Sequence, residues 1–152
     1  MARESEVGHH TLDRIYGAMV QAAAEPSSGV RLVREAETAI QGPAETCPTC
    51  RIAFIVPATI AAARGGDLER AHRYARDCEK ALEIVALPPA WHAAVEEARG
   101  WVTRAEGRPG DARKRFRRAA DGFQTWGQPL DAQRCTELAT RRERLRNAAA
   151  QT

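Results

Sequence analysis

Two cysteines, Cys47 and Cys50 in Thr46-Cys47-Pro48-Thr49-Cys50, form the sharpest chemical pattern in the chain. Thiols at this spacing can share a metal ion or form a redox pair, and the start of a helix lowers a thiol pKa. A structural zinc needs four ligands. His72 and Cys78 are the residues whose types could complete the set, but on one helix they do not share a face. A redox Cys-x-x-Cys belongs on a βαβ unit, and no strand pattern is visible here. The preferred reading makes both cysteines small apolar residues at the start of a buried helix, with no cofactor. A metal- or thiol-sensing domain that holds zinc on Cys47 and Cys50 remains an alternative.

Other reactive side chains give weaker signals. His9 and His10 fall in a polar stretch, residues 1–10, that reads as a flexible tail. His72 and His92 have charged neighbours and no serine, cysteine or carboxylate at a dyad spacing, so they read as surface histidines. Cys78 and Cys135 lie on apolar stripes and read as core. The carboxylate pairs Glu96-Glu97, Glu69 with Asp77, and Glu35 with Glu37 have arginines three or four residues away, as in Glu69–Arg73. They read as surface ion pairs. No active site emerges, and the chain is read as not an enzyme.

The elements that would carry these residues are helices. A first helix is expected from Thr11 to about Ala24, with Leu12, Ile15, Tyr16, Met19 and Val20 as its apolar stripe. A second spans about 29–41 and buries Val30, Val33, Ala36 and Ile40. A third runs from near Pro48 to about Arg64, apolar nearly all round and so central, with a kink expected at Pro57. Gly65-Gly66 closes it, and Asp67 caps a fourth from Leu68 to Val85 whose stripe is Leu68, Ala71, Ala75, Cys78 and Leu82. Leu87-Pro88-Pro89 is a rigid connection. A fifth helix, about Ala90 to Glu106, turns in Trp91, Val95, Ala98 and Val102, with Gly100 free for close packing. Asp111 is expected to cap a sixth carrying Ala112, Phe116, Ala119 and Phe123. Pro129 opens a seventh, to about Arg146, with Ala132, Cys135, Leu138 and Leu145 inward. Residues 147–152 are expected to fray, leaving 11–146 as a single helical domain.

Composition agrees. Hydrophobic residues at 43% and charged residues at 28% exclude disorder. No apolar run reaches the ~20 residues that span a bilayer, so no membrane role is expected, and the charged N-terminus is not read as a signal peptide. A cytoplasmic location follows as the default. The net charge of +3 hides an arginine-rich last third that includes Arg113, Lys114, Arg115, Arg117 and Arg118. Nucleic-acid binding there is an alternative, ranked below a solvated basic face because no reader motif accompanies it.

The helix pattern repeats. Gly107, Ala112, Phe116, Ala119 and Phe123 fall 41 residues after Gly66, Ala71, Ala75, Cys78 and Leu82. The two central hairpins resemble tetratricopeptide repeats. A 34-residue unit counted from Ala93 to Trp126 puts Gly100, Gly107, Ala112, Phe116 and Ala119 at the family's small, glycine, small, aromatic and alanine positions. A unit from Ile52 to Val85 offers Thr59, Gly66, Ala71, Ala75 and Cys78, a partial match. Both lack the family's first large aromatic, and the spacing exceeds the family's because of the insert around Leu87–Trp91. Cys47-Pro48-Thr49-Cys50, Gly66-Asp67 and the run Gly127–Cys135 also look like the helical-repeat regions of large bacterial ATP-binding regulators of the LuxR and MalT type. No phosphate loop or DNA-reading helix-turn-helix motif is present.

The resemblance implies an all-α fold of about seven helices, antiparallel hairpins stacked as a short tetratricopeptide-like solenoid. It implies a scaffold binding a protein or peptide, in the manner of a regulator's sensor or coupling part. The family's concave-face positions fall on Val56, Ile60, Arg64, Glu97, Trp101 and Arg104, with Trp101 as the anchor or else as core. Val56 and Ile60 would form an exposed apolar strip, unless the first hairpin folds over them. Such a strip predicts a homodimer or an apolar partner helix.

Overall fold

The fold follows from where helices must start and stop. The computed structural model describes residues 6–40, 48–84 and 86–150, and side chains within 12–40, 49–83 and 86–140. The described residues form seven helices: α1 (Glu6–Ala22), α2 (Pro26–Ala39), α3 (Pro48–Arg64), α4 (Leu68–Ile84), α5 (Ala90–Ala105), α6 (Pro109–Thr125) and α7 (Pro129–Ala150). Among the described residues there is no strand. The protein is all-α, and its helices pack mostly on their neighbours in sequence.

Four helices open on proline, which is preset for the first turn and has no N–H to leave unbonded. Two of those starts differ from expectation. α2 begins at Pro26, three residues before Gly29. α6 begins at Pro109, so Asp111 lies in its first turn and the cap position is Arg108. Asp67 does cap α4: its Oδ1 accepts a bond from the Arg70 backbone N–H at 3.1 Å. Helix α1 starts at Glu6, ahead of the expected Thr11.

Three connections share one design. Gly66, Gly107 and Gly127 have φ of 79°, 78° and 73°, a left-handed conformation that favours glycine. After each, a backbone N–H reaches back five residues: Asp67 to Ala62, Arg108 to Thr103, Gln128 to Phe123. The next helix then carries a buried alanine five residues after the glycine: Ala71, Ala112 or Ala132. The third copy follows the second by only one helix, so the turn recurs between α6 and α7.

Contacts cluster into two compact units, Met1–Leu87 and Pro88–Thr152. The division falls at the proline connection, inside the span 11–146. In the first unit α1, α2 and α4 all pack on α3, which continues unbroken through Pro57. Val33, Ile52, Phe54, Ile55, Ala58 and Cys78 are fully enclosed there. In the second unit α6 lies between α5 and α7. Ala93, Ala119, Ala120, Phe123, Ala132 and Cys135 form one core cluster, and Ala112, Phe116 and Ala139 another, with Trp101 and Leu138 against it. The expected inner positions of α6 are all buried; Leu145 of α7 lies outside the described side chains.

Candidate partner-binding surfaces

Helix α1 buries only part of the stripe its sequence suggests: Val20 is enclosed, and Leu12 and Tyr16 are half-buried. Asp13, Gly17 and Val20 face inward, while Ile15 is 49% and Met19 43% exposed. Gly17 explains the choice. A Cβ there would lie 2.1 Å from the Ala53 carbonyl oxygen, so only glycine lets the two backbones approach this closely. Asp13, fully buried, accepts a bond from Arg51 Nη1 at 2.8 Å. That charged partner offsets the cost of burying a carboxylate. Arg51 also lies over the Phe54 ring at 5.0 Å, and Phe54 meets Tyr74 edge to face at 5.6 Å. Among the described residues, Asp13 Oδ2 has no hydrogen-bond partner. With this side inward, Ile15, Ala18, Met19 and Ala22 form an exposed apolar face, with Leu12 half-buried at its edge.

The expected strip on α3 is corrected. Val56 is 6% exposed and Ile60 half-buried, because three helices surround α3. Arg64 is exposed, and its Nη2 donates to the Ala24 carbonyl at 3.2 Å. These three residues belong to the first unit.

The other three expected contact residues, Glu97, Trp101 and Arg104, lie on α5 in the second unit. Trp101 is half-buried and packs edge to face on Phe116, with centroids 5.8 Å apart. The Arg104 guanidinium covers both rings, at 5.1 Å from Trp101 and 4.6 Å from Phe116. Arg104 also donates to the Leu138 carbonyl at 2.8 Å. Glu97 is buried and takes a two-pronged ion pair from Arg134, at 2.9 and 2.6 Å. The surface reading of Glu97 is therefore corrected: it ties α5 to α7.

Glu37 does the same work in the first unit. Its carboxylate accepts Arg70 Nε at 2.8 Å, Arg70 Nη2 at 2.9 Å and the Tyr74 hydroxyl at 2.9 Å, and pairs with Arg73. Arg73, expected beside Glu69, is thus committed to α2. Burial pushes the Glu37 pKa up, but the bonds from Arg70 and Tyr74 and the arginine charges outweigh it and hold the pKa below the usual carboxylate value. Tyr74 is pushed up to about 12 by burial and by Glu37. Cys135 is pushed up to about 12 by burial and by the Glu97 charge. Spacing held a clue to both hubs: Glu37 follows Val30 and Val33, and Glu97 follows Ala93, at the i+4 or i+7 intervals of the inward face.

Cys50 is half-buried, and Cys47 lies outside the described residues. Among the described residues no three His, Cys, Asp or Glu side chains converge as metal ligands would. His92 is exposed, His72 half-buried. Much of the basic third is engaged within its own unit: Arg108 with Glu106, Lys114 with Asp111, Arg115 with Glu96 and Arg134 with Glu97. No described helix is long and apolar enough to cross a membrane. No protein-family model matches the chain, and no curated protein or solved structure is detectably similar to it.

Proposed function

We propose that the chain is a non-enzymatic helical scaffold that binds an amphipathic segment of a protein partner on the outer face of α1. One observation carries this reading. Ile15, Ala18, Met19 and Ala22 present a continuous apolar helix face to solvent, the kind of surface that marks an interface. The partner's apolar helix side would bury it, as helix-in-groove recognition does. The repeated glycine turns with their buried alanines support a tetratricopeptide-like scaffold. The further link to LuxR- and MalT-type regulators, and the cytoplasmic location that goes with it, rests on the sequence resemblance alone.

The test is a double substitution, Ile15→Asp with Met19→Asp. Both side chains are exposed, so helicity and melting temperature should stay near wild type while capture of a partner from native lysate is lost. Light scattering of the pure chain across a concentration series separates a second copy from another protein as the occupant. Unchanged capture by the double variant would defeat the proposal. So would a collapse in stability, since that would place the face inside the molecule's own packing.

A further inference from the structure

A second surface of the first unit has a different chemistry. Ser27, Val30, Arg31 and Arg34 follow i, i+3, i+4 and i+7 along α2 and so share one helix face. That face, with Pro26, borders a cleft of about 620 Å³ whose other wall is Arg64 and Gly65 at the end of α3. Gly65 sets the depth of this meeting: a Cβ there would lie 2.3 Å from Val30 Cγ2. Three guanidiniums therefore border one cleft, with Pro26 and Val30 as its apolar part.

The neighbouring carboxylates compete only weakly for two of them. Arg31 pairs with Glu35 at 2.5 Å on the same helix, but the two side chains are 66% and 46% exposed. Such exposed pairs are weak and yield readily to a better partner. Arg34 stands 4.0 Å from Asp67. Asp67 is already committed, accepting the Arg70 backbone N–H on Oδ1 and pairing with the Arg70 guanidinium through Oδ2. Arg64, whose Nη2 donates to the Ala24 carbonyl, is the third guanidinium at the border of the cleft.

We infer that this cleft binds a phosphate-bearing small molecule. A carboxylate is satisfied by one guanidinium fork, whereas a phosphate monoester presents three terminal oxygens and up to two charges and uses several. The volume falls in the range of small-molecule sites, ~300–1,000 Å³, and leaves room for an organic body against Pro26 and Val30. This site is independent of the α1 face, and either can fail alone.

The test is an amide NMR titration of the full chain at low ionic strength. The probes are inorganic phosphate and adenosine monophosphate, with adenosine as the uncharged control and sodium chloride matched for ionic strength. Saturable shifts are expected around residues 26–34 and 64–66 with both phosphates and not with adenosine. Equal affinities would identify the free oxyanion as the ligand, and tighter binding of the nucleotide would identify a phosphate ester. Arg31→Gln and Arg34→Gln should each weaken binding roughly tenfold. Arg118→Gln, on an exposed residue of α6, should leave it unchanged. These arginines are mostly exposed, so the variants should fold, which circular dichroism checks. Shifts that never saturate, or a site indifferent to both α2 arginines, would overturn the assignment.

Discussion

Glu37 gathers Arg70, Arg73 and Tyr74 of α4 onto α2, and its removal is a clear test of the packing. Glu37→Ala takes the acceptor from the Tyr74 hydroxyl and from Arg73 and leaves Arg70 with Asp67 alone, so a loss of about 1–3 kcal/mol is expected in urea unfolding. Because the folded pKa lies below the unfolded one, this stabilisation is complete above the unfolded value, about 4.3. It is lost as pH falls through the folded pKa. The difference between wild type and the alanine variant should therefore shrink on acidification below about pH 4. In the second unit, Cys135 should resist thiol reagents in the native chain at neutral pH and react only after denaturation, whereas half-buried Cys50 should react sooner. Equal rates would contradict the burial of Cys135. Trp101 tests the choice between anchor and core. Its packing on Phe116 and beneath Arg104 predicts that Trp101→Ala lowers stability by about 2–4 kcal/mol.

Two glycines make opposite predictions at the scale of helices. Gly17→Ala drives a methyl into the Ala53 carbonyl and must push α1 off α3, for a loss of about 2–4 kcal/mol. Gly110, in the first turn of α6, has nothing within 4 Å of a built Cβ. Gly110→Ala should stabilise by about 0.5–1 kcal/mol through helix propensity and a less flexible unfolded chain. Thermal melts of the two variants decide both cases, and a neutral Gly17→Ala would mean that α1 does not pack as described. The length and place of most helices could be read locally. Proline at Pro48 and Pro129, the Asp67 cap and the Gly66 and Gly107 stops are short-range signals. Pro26 and Pro109 carry the same signal, and it prevails over the competing starts at Gly29 and Asp111.

Each unit has its own enclosed core, so the whole chain should not unfold as one block. Calorimetry is expected to give a heat-absorption curve broader than a single two-state transition. Glu37→Ala should lower the melting of one component and leave the other in place. A single sharp transition, displaced as a whole by that substitution, would show that the units unfold together.

The sequence by itself determined the helices, because 3.6-residue periodicity, caps and glycine turns act between residues close in the chain. Ala112, Phe116, Ala119 and Phe123 of α6 were legible for that reason, and all are buried. It could not determine which side of α1 turns inward. Leu12, Ile15, Tyr16, Met19 and Val20 make the apolar stripe, yet of these only Val20 is fully buried, and Asp13 and Gly17 turn inward beside it while Ile15 and Met19 are exposed. The deciding facts are a backbone approach to Ala53 and an ion pair with Arg51, and both partners lie on another helix far along the chain. Glu37 and Glu97 likewise looked like surface charges until Arg70 and Arg134 were brought across from α4 and α7. The apolar face on α1 and the arginine cleft beside α2 follow from the same cause: surface chemistry is whatever packing between distant segments leaves uncovered.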